Sequence, residues 1–135
     1  MQDLAVPDRS GPVVAVVPAR NAGAVEVTVR SLVATGRIDR CVVVDDGSTD
    51  DTAERALAAG ASVMLLSVNR GKGDAVRLAV ERHPDARAYL LVDADLGDTA
   101  GRAVALLDPV LDGSADVAVA VFPPAAGRGG FGVVK

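Results

Sequence analysis

Aromatic side chains are nearly missing from this chain: its 135 residues include no Trp, one Tyr and two Phe. A surface that recognises its ligand by stacking on several rings is therefore excluded. Cysteine occurs once, as Cys41, so no internal disulfide can form. It opens an apolar run and reads as a buried thiol in a reducing, cytoplasmic compartment, with no metal site built on it. The one His, His83, precedes Pro84 at the end of a helical pattern. There the helix dipole favours a solvated terminal residue, which leaves no histidine base. No apolar run approaches the roughly 20 residues needed to cross a bilayer, and the first residues lack a charged-then-apolar leader. The chain reads as soluble and unprocessed, any membrane contact being peripheral, at the inner face. Concentrated positive charge is lacking too: 14 scattered Lys and Arg face 18 Asp and Glu, for a net charge of −4. That excludes a nucleic acid, whose phosphates need a basic face.

What is present is apolar and regular. Half of the residues are hydrophobic, enough for the core of one domain. Short apolar runs at 13–17, 41–44, 62–67, 88–92 and 116–121 alternate with amphipathic stretches at 25–35, 51–59, 72–83 and 99–111. This is the pattern of buried parallel strands joined by crossover helices. Gly36, Gly60 and Gly113 each stand just past a helical stretch, where a left-handed C-cap is wanted. Asp98 is placed to cap the last helix, and Ser48, Thr49 or Asp50 the second. Residues 1–121 thus form the domain. Residues 122–135, with Pro123, Pro124 and four glycines, read as an irregular, mobile tail with no place in the sheet.

The expected architecture is a doubly wound α/β sheet of Rossmann type, mainly parallel, with strand order 3-2-1-4-5. Right-handed crossovers bring the carboxyl ends of its strands to one edge, and the crevice lies between the first and fourth strands. Three loops converge there: Pro18-Ala19-Arg20-Asn21, Asp45-Asp46-Gly47-Ser48 and Asp93-Ala94-Asp95. The spacing of two sends the side chains of Asp93 and Asp95 the same way along an extended backbone. Carboxylates gathered within about 6 Å repel by roughly 3 kcal/mol per pair at an effective dielectric near 20, so such a cluster calls for a cation. Mg2+ or Mn2+, held by one or two carboxylates and by phosphate oxygens, fits Asp93 and Asp95. Asp50, Asp51 and Asp98 read instead as turn or cap residues.

Asn69-Arg70-Gly71-Lys72-Gly73-Asp74 supplies the opposite sign. Two glycines flank a Lys where a helix starts, so the segment is either an anion cradle or a surface turn. It is not a Walker A loop, since the upstream Gly and the Ser or Thr after Lys are missing. Arg20 is placed either to reach a phosphate or to pair with Asp46.

Taken together, VVAVVPARN, VVVDDGSTDDT, NRGKGDA and LLVDADL, in this order and spacing over residues 13–121, resemble the family 2 glycosyltransferases of GT-A fold, including the dolichyl-phosphate mannosyltransferase-like and polyprenyl-phosphate glucosyltransferase-like branches. The resemblance implies the N-terminal, donor-binding half of such an enzyme. Pro18, Ala19, Arg20 and Asn21 would pack on the nucleotide, Asp45 and especially Asp46 would read base and ribose, and Lys72 and Ala94 would lie beside the nucleotide. Asp93 and Asp95 would carry the Mg2+ or Mn2+. The donor would be a UDP- or GDP-sugar, and the acceptor a lipid phosphate or a small molecule.

The departures are specific. Ala22 follows Asn21 where many relatives have Glu, and the Trp-containing acceptor-side motif of processive relatives is missing. The acceptor half and its carboxylate base normally come later than Lys135, so the chain reads as cut within a domain and no residue is assigned as that base. An unfinished sheet would leave an exposed edge or apolar face, for which a homodimer is expected. Two alternatives remain: a phospho-receiver-like signalling domain, which would want its acidic pair after the first strand, and a noncatalytic nucleotide-binding module.

Overall fold

The computed structural model describes residues 10–121 and 131–134. Its strands are β1 (Val13–Ala19), β2 (Arg40–Asp46), β3 (Ser62–Leu66), β4 (Ala88–Val92), β5 (Val117–Val119) and β6 (Phe131–Val134), and its α-helices are α1 (Val25–Ala34), α2 (Thr52–Ala58), α3 (Lys72–Arg82) and α4 (Leu107–Leu111). The sheet order is β3-β2-β1-β4-β6-β5. β1 pairs in parallel with β2 on one side and β4 on the other, and β2 with β3. The first four strands therefore follow the expected 3-2-1-4 order, and the crevice opens where β1 and β4 part from each other.

Beyond β4 the sheet differs from expectation. The place beside β4 belongs to β6, which pairs antiparallel with both β4 and β5. Residues 131–134 thus belong to the sheet and not to an irregular tail; residues 122–130 lie outside the described residues. Four residues after a glycine-rich stretch carry little strand signal of their own, and two flanking strands supply the pairing. The last helical stretch differs as well. Gly97–Leu106 is a 3-10 helix running into α4. The Gly101 amide donates to Ser31 Oγ of α1 at 2.7 Å, which takes it out of an α-helical ladder. Gly101 also lets the two segments approach closely, since a Cβ there would lie 2.9 Å from the Ser31 carbonyl oxygen.

Strand alternation divides the core into two layers. Val13, Ala15 and Val17 of β1 and Cys41 and Val43 of β2 pack with Val25, Val29 and Leu32 of α1 and with Ala103 and Leu107. Val14, Val16, Val42 and Val44 pack on the other face against Ala75 and Ala79 of α3. The edge strand β3 leaves Leu65 exposed, and β5 at the far edge leaves Val117 and Val119 exposed. No helix among the described residues is long and apolar enough to cross a membrane.

Cys41 lies in the first layer, and burial pushes its thiol up to about 12. At pH 8 its thiolate fraction is about 10⁻⁴, so alkylation of the folded chain by iodoacetamide should run roughly a thousandfold slower than that of free cysteine and recover in urea. Native labelling at the rate of an exposed thiol would contradict this packing.

Candidate active site

The carboxyl ends of β1, β2 and β4 and the amino end of α3 enclose an open cleft of about 630 Å³. Strand alternation selects what faces it. Asp46 lies on the α3 side of the sheet and lines the cleft, whereas its neighbour Asp45 points to the other side. Consecutive residues on an extended strand face opposite ways, so Asp45 and Asp46 do not share the cleft. Asp45 instead accepts a hydrogen bond from the Ser48 amide at 2.8 Å and closes the turn after β2.

Asp46 is buried, and both of its oxygens are engaged: Oδ1 accepts from the Arg70 amide at 2.7 Å and Oδ2 from the Gly71 amide at 2.9 Å. It thereby ties β2 to the loop that leads into α3. Gly47 completes this contact in a left-handed conformation, φ 79°, where a Cβ would stand 3.2 Å from the Asn69 backbone nitrogen. Gly47→Ala should lower stability by about 1–2 kcal/mol through strain and crowding, read as a lower urea midpoint; an unchanged midpoint would contradict the close approach.

The loop after β1 contributes Pro18, Ala19, Arg20 and Asn21 to the cleft. Asn21 has a left-handed backbone, φ 47°. Its amide donates to Ser48 Oγ at 2.9 Å, and its Oδ1 accepts from the Thr49 amide at 2.8 Å. The next amide, Ala22, donates to Thr52 Oγ1 at 3.0 Å. Ser48, Thr49 and Thr52 therefore fix the shape of this loop, and the Asn21 carboxamide is committed largely to that task. Arg20 is exposed and makes no ion pair with Asp46 or any other described carboxylate.

Asp93, Ala94 and Asp95 follow β4, and all three line the cleft. The Asp93 side chain is mostly enclosed and forms an ion pair with Lys72, at the start of α3. Asp95 is exposed. Two positioning residues that sequence patterning overlooks hold this segment. The fully buried Thr28 of α1 donates its hydroxyl to the Ala94 carbonyl at 2.7 Å and accepts from the Gly97 amide at 2.9 Å. One turn on, Ser31 donates to the Asp98 carbonyl at 2.9 Å. Their signal was a pair of hydroxyl residues three apart on a helix whose other inward positions are apolar.

The donor set suits a hard divalent ion: two carboxylates, with a Lys ammonium standing as cation on one of them. Among the described residues no group of three or more His, Cys, Asp or Glu converges as a complete metal cage. Asp93 and Asp95 would thus share such an ion with ligand and water oxygens.

Residues 14–132 match the family model described as glycosyl transferase family 2. The chain belongs to this family. Within glycosyl transferase family 2, 72 of its residues are 47% identical to glycosyltransferase AglJ of Haloferax volcanii, covering 53% of this chain and 23% of AglJ. Among solved structures, glucosyl-3-phosphoglycerate synthase of Mycobacterium tuberculosis with Mn2+, UDP-glucose and phosphoglyceric acid superposes with a TM-score of 0.76 at 27% identity, covering 88% of this chain and 46% of that one. The same enzyme with Mn2+, UDP and glucosyl-3-phosphoglycerate gives 0.67 at 29% identity, covering 76% and 40%. The matches thus span less than half the length of each of these relatives.

Proposed function

We propose that this chain forms the donor-binding part of a glycosyltransferase that uses a UDP-sugar and Mg2+ or Mn2+ to transfer the sugar to an acceptor hydroxyl or phosphate, the acceptor being a small molecule or a lipid phosphate. The observation that carries the proposal is the gathering of Asp93, Asp95 and Lys72 in one cleft with the loop after β1. Asp93 and Asp95 would hold the ion, which supplies neutralising charge for the diphosphate leaving group. Lys72 and the amide groups that open α3 would face the phosphates, as a helix N-terminus with a neighbouring ammonium favours an anion. The loop after β1, fixed by Ser48 and Thr52, would give the nucleoside a rigid wall, with the Arg20 guanidinium at its rim. Asp46 would act mainly by holding the Arg70–Gly71 backbone in place. UDP is preferred over GDP because the solved relatives hold UDP or UDP-glucose.

A titration calorimeter tests this directly. UDP-glucose should bind in the presence of Mn2+ and more tightly than GDP-mannose, and chelating the metal should weaken it at least about tenfold. No binding of either nucleotide with or without metal would contradict the proposal. A noncatalytic module would bind UDP-glucose equally well but release no UDP when acceptors are supplied. The phospho-receiver alternative loses its footing in the sheet: such domains place β3 beside β1 in the order 2-1-3-4-5, whereas here β4 takes that position.

A further inference from the structure

Lys72 and Asp93 are 21 residues apart and meet across the cleft, yet their environments are unequal. The Lys72 side chain is 65% exposed and that of Asp93 16%. Asp93 is thus held by the fold, while the ammonium sits on a four-carbon stem free to swing along the cleft rim. A carboxylate in this acidic crevice needs a cation, and without a ligand Lys72 supplies it. A divalent ion on Asp93 would take the same carboxylate and repel the ammonium, whereas a diphosphate would attract it from the other side.

On the reading that this cleft binds a nucleotide diphosphate with a metal, we infer that Lys72 is an exchange cation: it occupies Asp93 in the unliganded protein, yields it to the incoming ion and transfers to the diphosphate. Each ligand alone must break the Lys72–Asp93 pair; when both bind, it is broken once. Metal and diphosphate therefore assist each other through this side chain, in addition to any direct contact between them, and the assistance is reciprocal.

The test is free Mn2+ measured by electron paramagnetic resonance during titration of the wild type, Lys72→Met, Lys72→Arg and Arg82→Met, each without nucleotide, with UDP and with uridine. Without nucleotide, Lys72→Met should bind Mn2+ about threefold to tenfold more tightly than wild type, because the Lys72–Asp93 pair no longer has to be broken. The factor by which UDP tightens Mn2+ binding should shrink by about the same amount, and uridine should leave it unaltered in every variant. Lys72→Arg, which can keep the pair, should stay near wild type. Arg82→Met removes a charge of the same sign from the far end of α3, outside the cleft, and should change Mn2+ affinity by less than about twofold. Unchanged or weaker Mn2+ binding by Lys72→Met, or an equal gain in Arg82→Met, would overturn the exchange while leaving the donor site intact. No Mn2+ binding by any protein, with or without UDP, would overturn both.

Discussion

Asp95→Asn is expected to weaken Mn2+ binding in the presence of UDP by more than about a hundredfold while leaving the urea midpoint near wild type. Asp95 is exposed, so the exchange removes a charge and no packing. With two carboxylates in the described donor set, each carries a large share of the ion's protein contact. Loss of an outer partner of a metal ligand commonly weakens binding about 10–100-fold, and loss of a ligand should exceed that. Asp93→Asn should weaken UDP-supported binding as much, and it also deprives Lys72 of its ion-pair partner. The two variants should differ in the nucleotide-free state, where only Asp93 is paired with the ammonium. Tight Mn2+ binding by Asp95→Asn in the presence of UDP would remove this residue from the site.

Thr28→Val should lower stability by about 2–4 kcal/mol although the two side chains are nearly the same size. The Thr28 hydroxyl serves the Ala94 carbonyl and the Gly97 amide at once, and valine leaves both without that partner in an enclosed setting. The same loss should loosen the segment between Asp93 and Gly97, so UDP-supported Mn2+ affinity should fall about tenfold in protein that is still folded. Thr28→Ser, which keeps the hydroxyl, should recover most of the metal affinity even where some packing is lost. Urea unfolding gives the first quantity and calorimetry the second. A Thr28→Val protein with wild-type metal affinity would show that α1 does not position Asp93 and Asp95.

Asp45 and Asp46 mark how far the sequence alone reaches into this site. Apolar strands ending in acid were plain in the sequence, but period-two alternation stops at Val92: Asp93 lies past β4 and Ala94 and Asp95 stand in a turn, so all three line the cleft. The same rule separates Asp45 from Asp46, because neighbours on a strand cannot share a face. The central strand order was legible from the alternation of elements. The place of β6 was not, because four residues become a strand only when β4 and β5 flank them. Nor was the 3-10 form of Gly97–Leu106, which depends on the Ser31 hydroxyl taking the Gly101 amide from an element 70 residues away. Thr28 and the Lys72–Asp93 pair belong to the same class: their chemistry is ordinary, and only the fold reveals which groups they meet.

Carboxylates at the end of β4 would hold one divalent ion together with a diphosphate in the cleft. Anomalous scattering at the manganese edge, from crystals grown with Mn2+ and UDP, tests it most directly. One strong peak is expected at about 2.0–2.3 Å from a carboxylate oxygen of Asp93 or Asp95, with the diphosphate on the same ion and the Lys72 ammonium turned from Asp93 toward a phosphate oxygen. A peak elsewhere on the molecule, or UDP bound away from the end of β4, would contradict it.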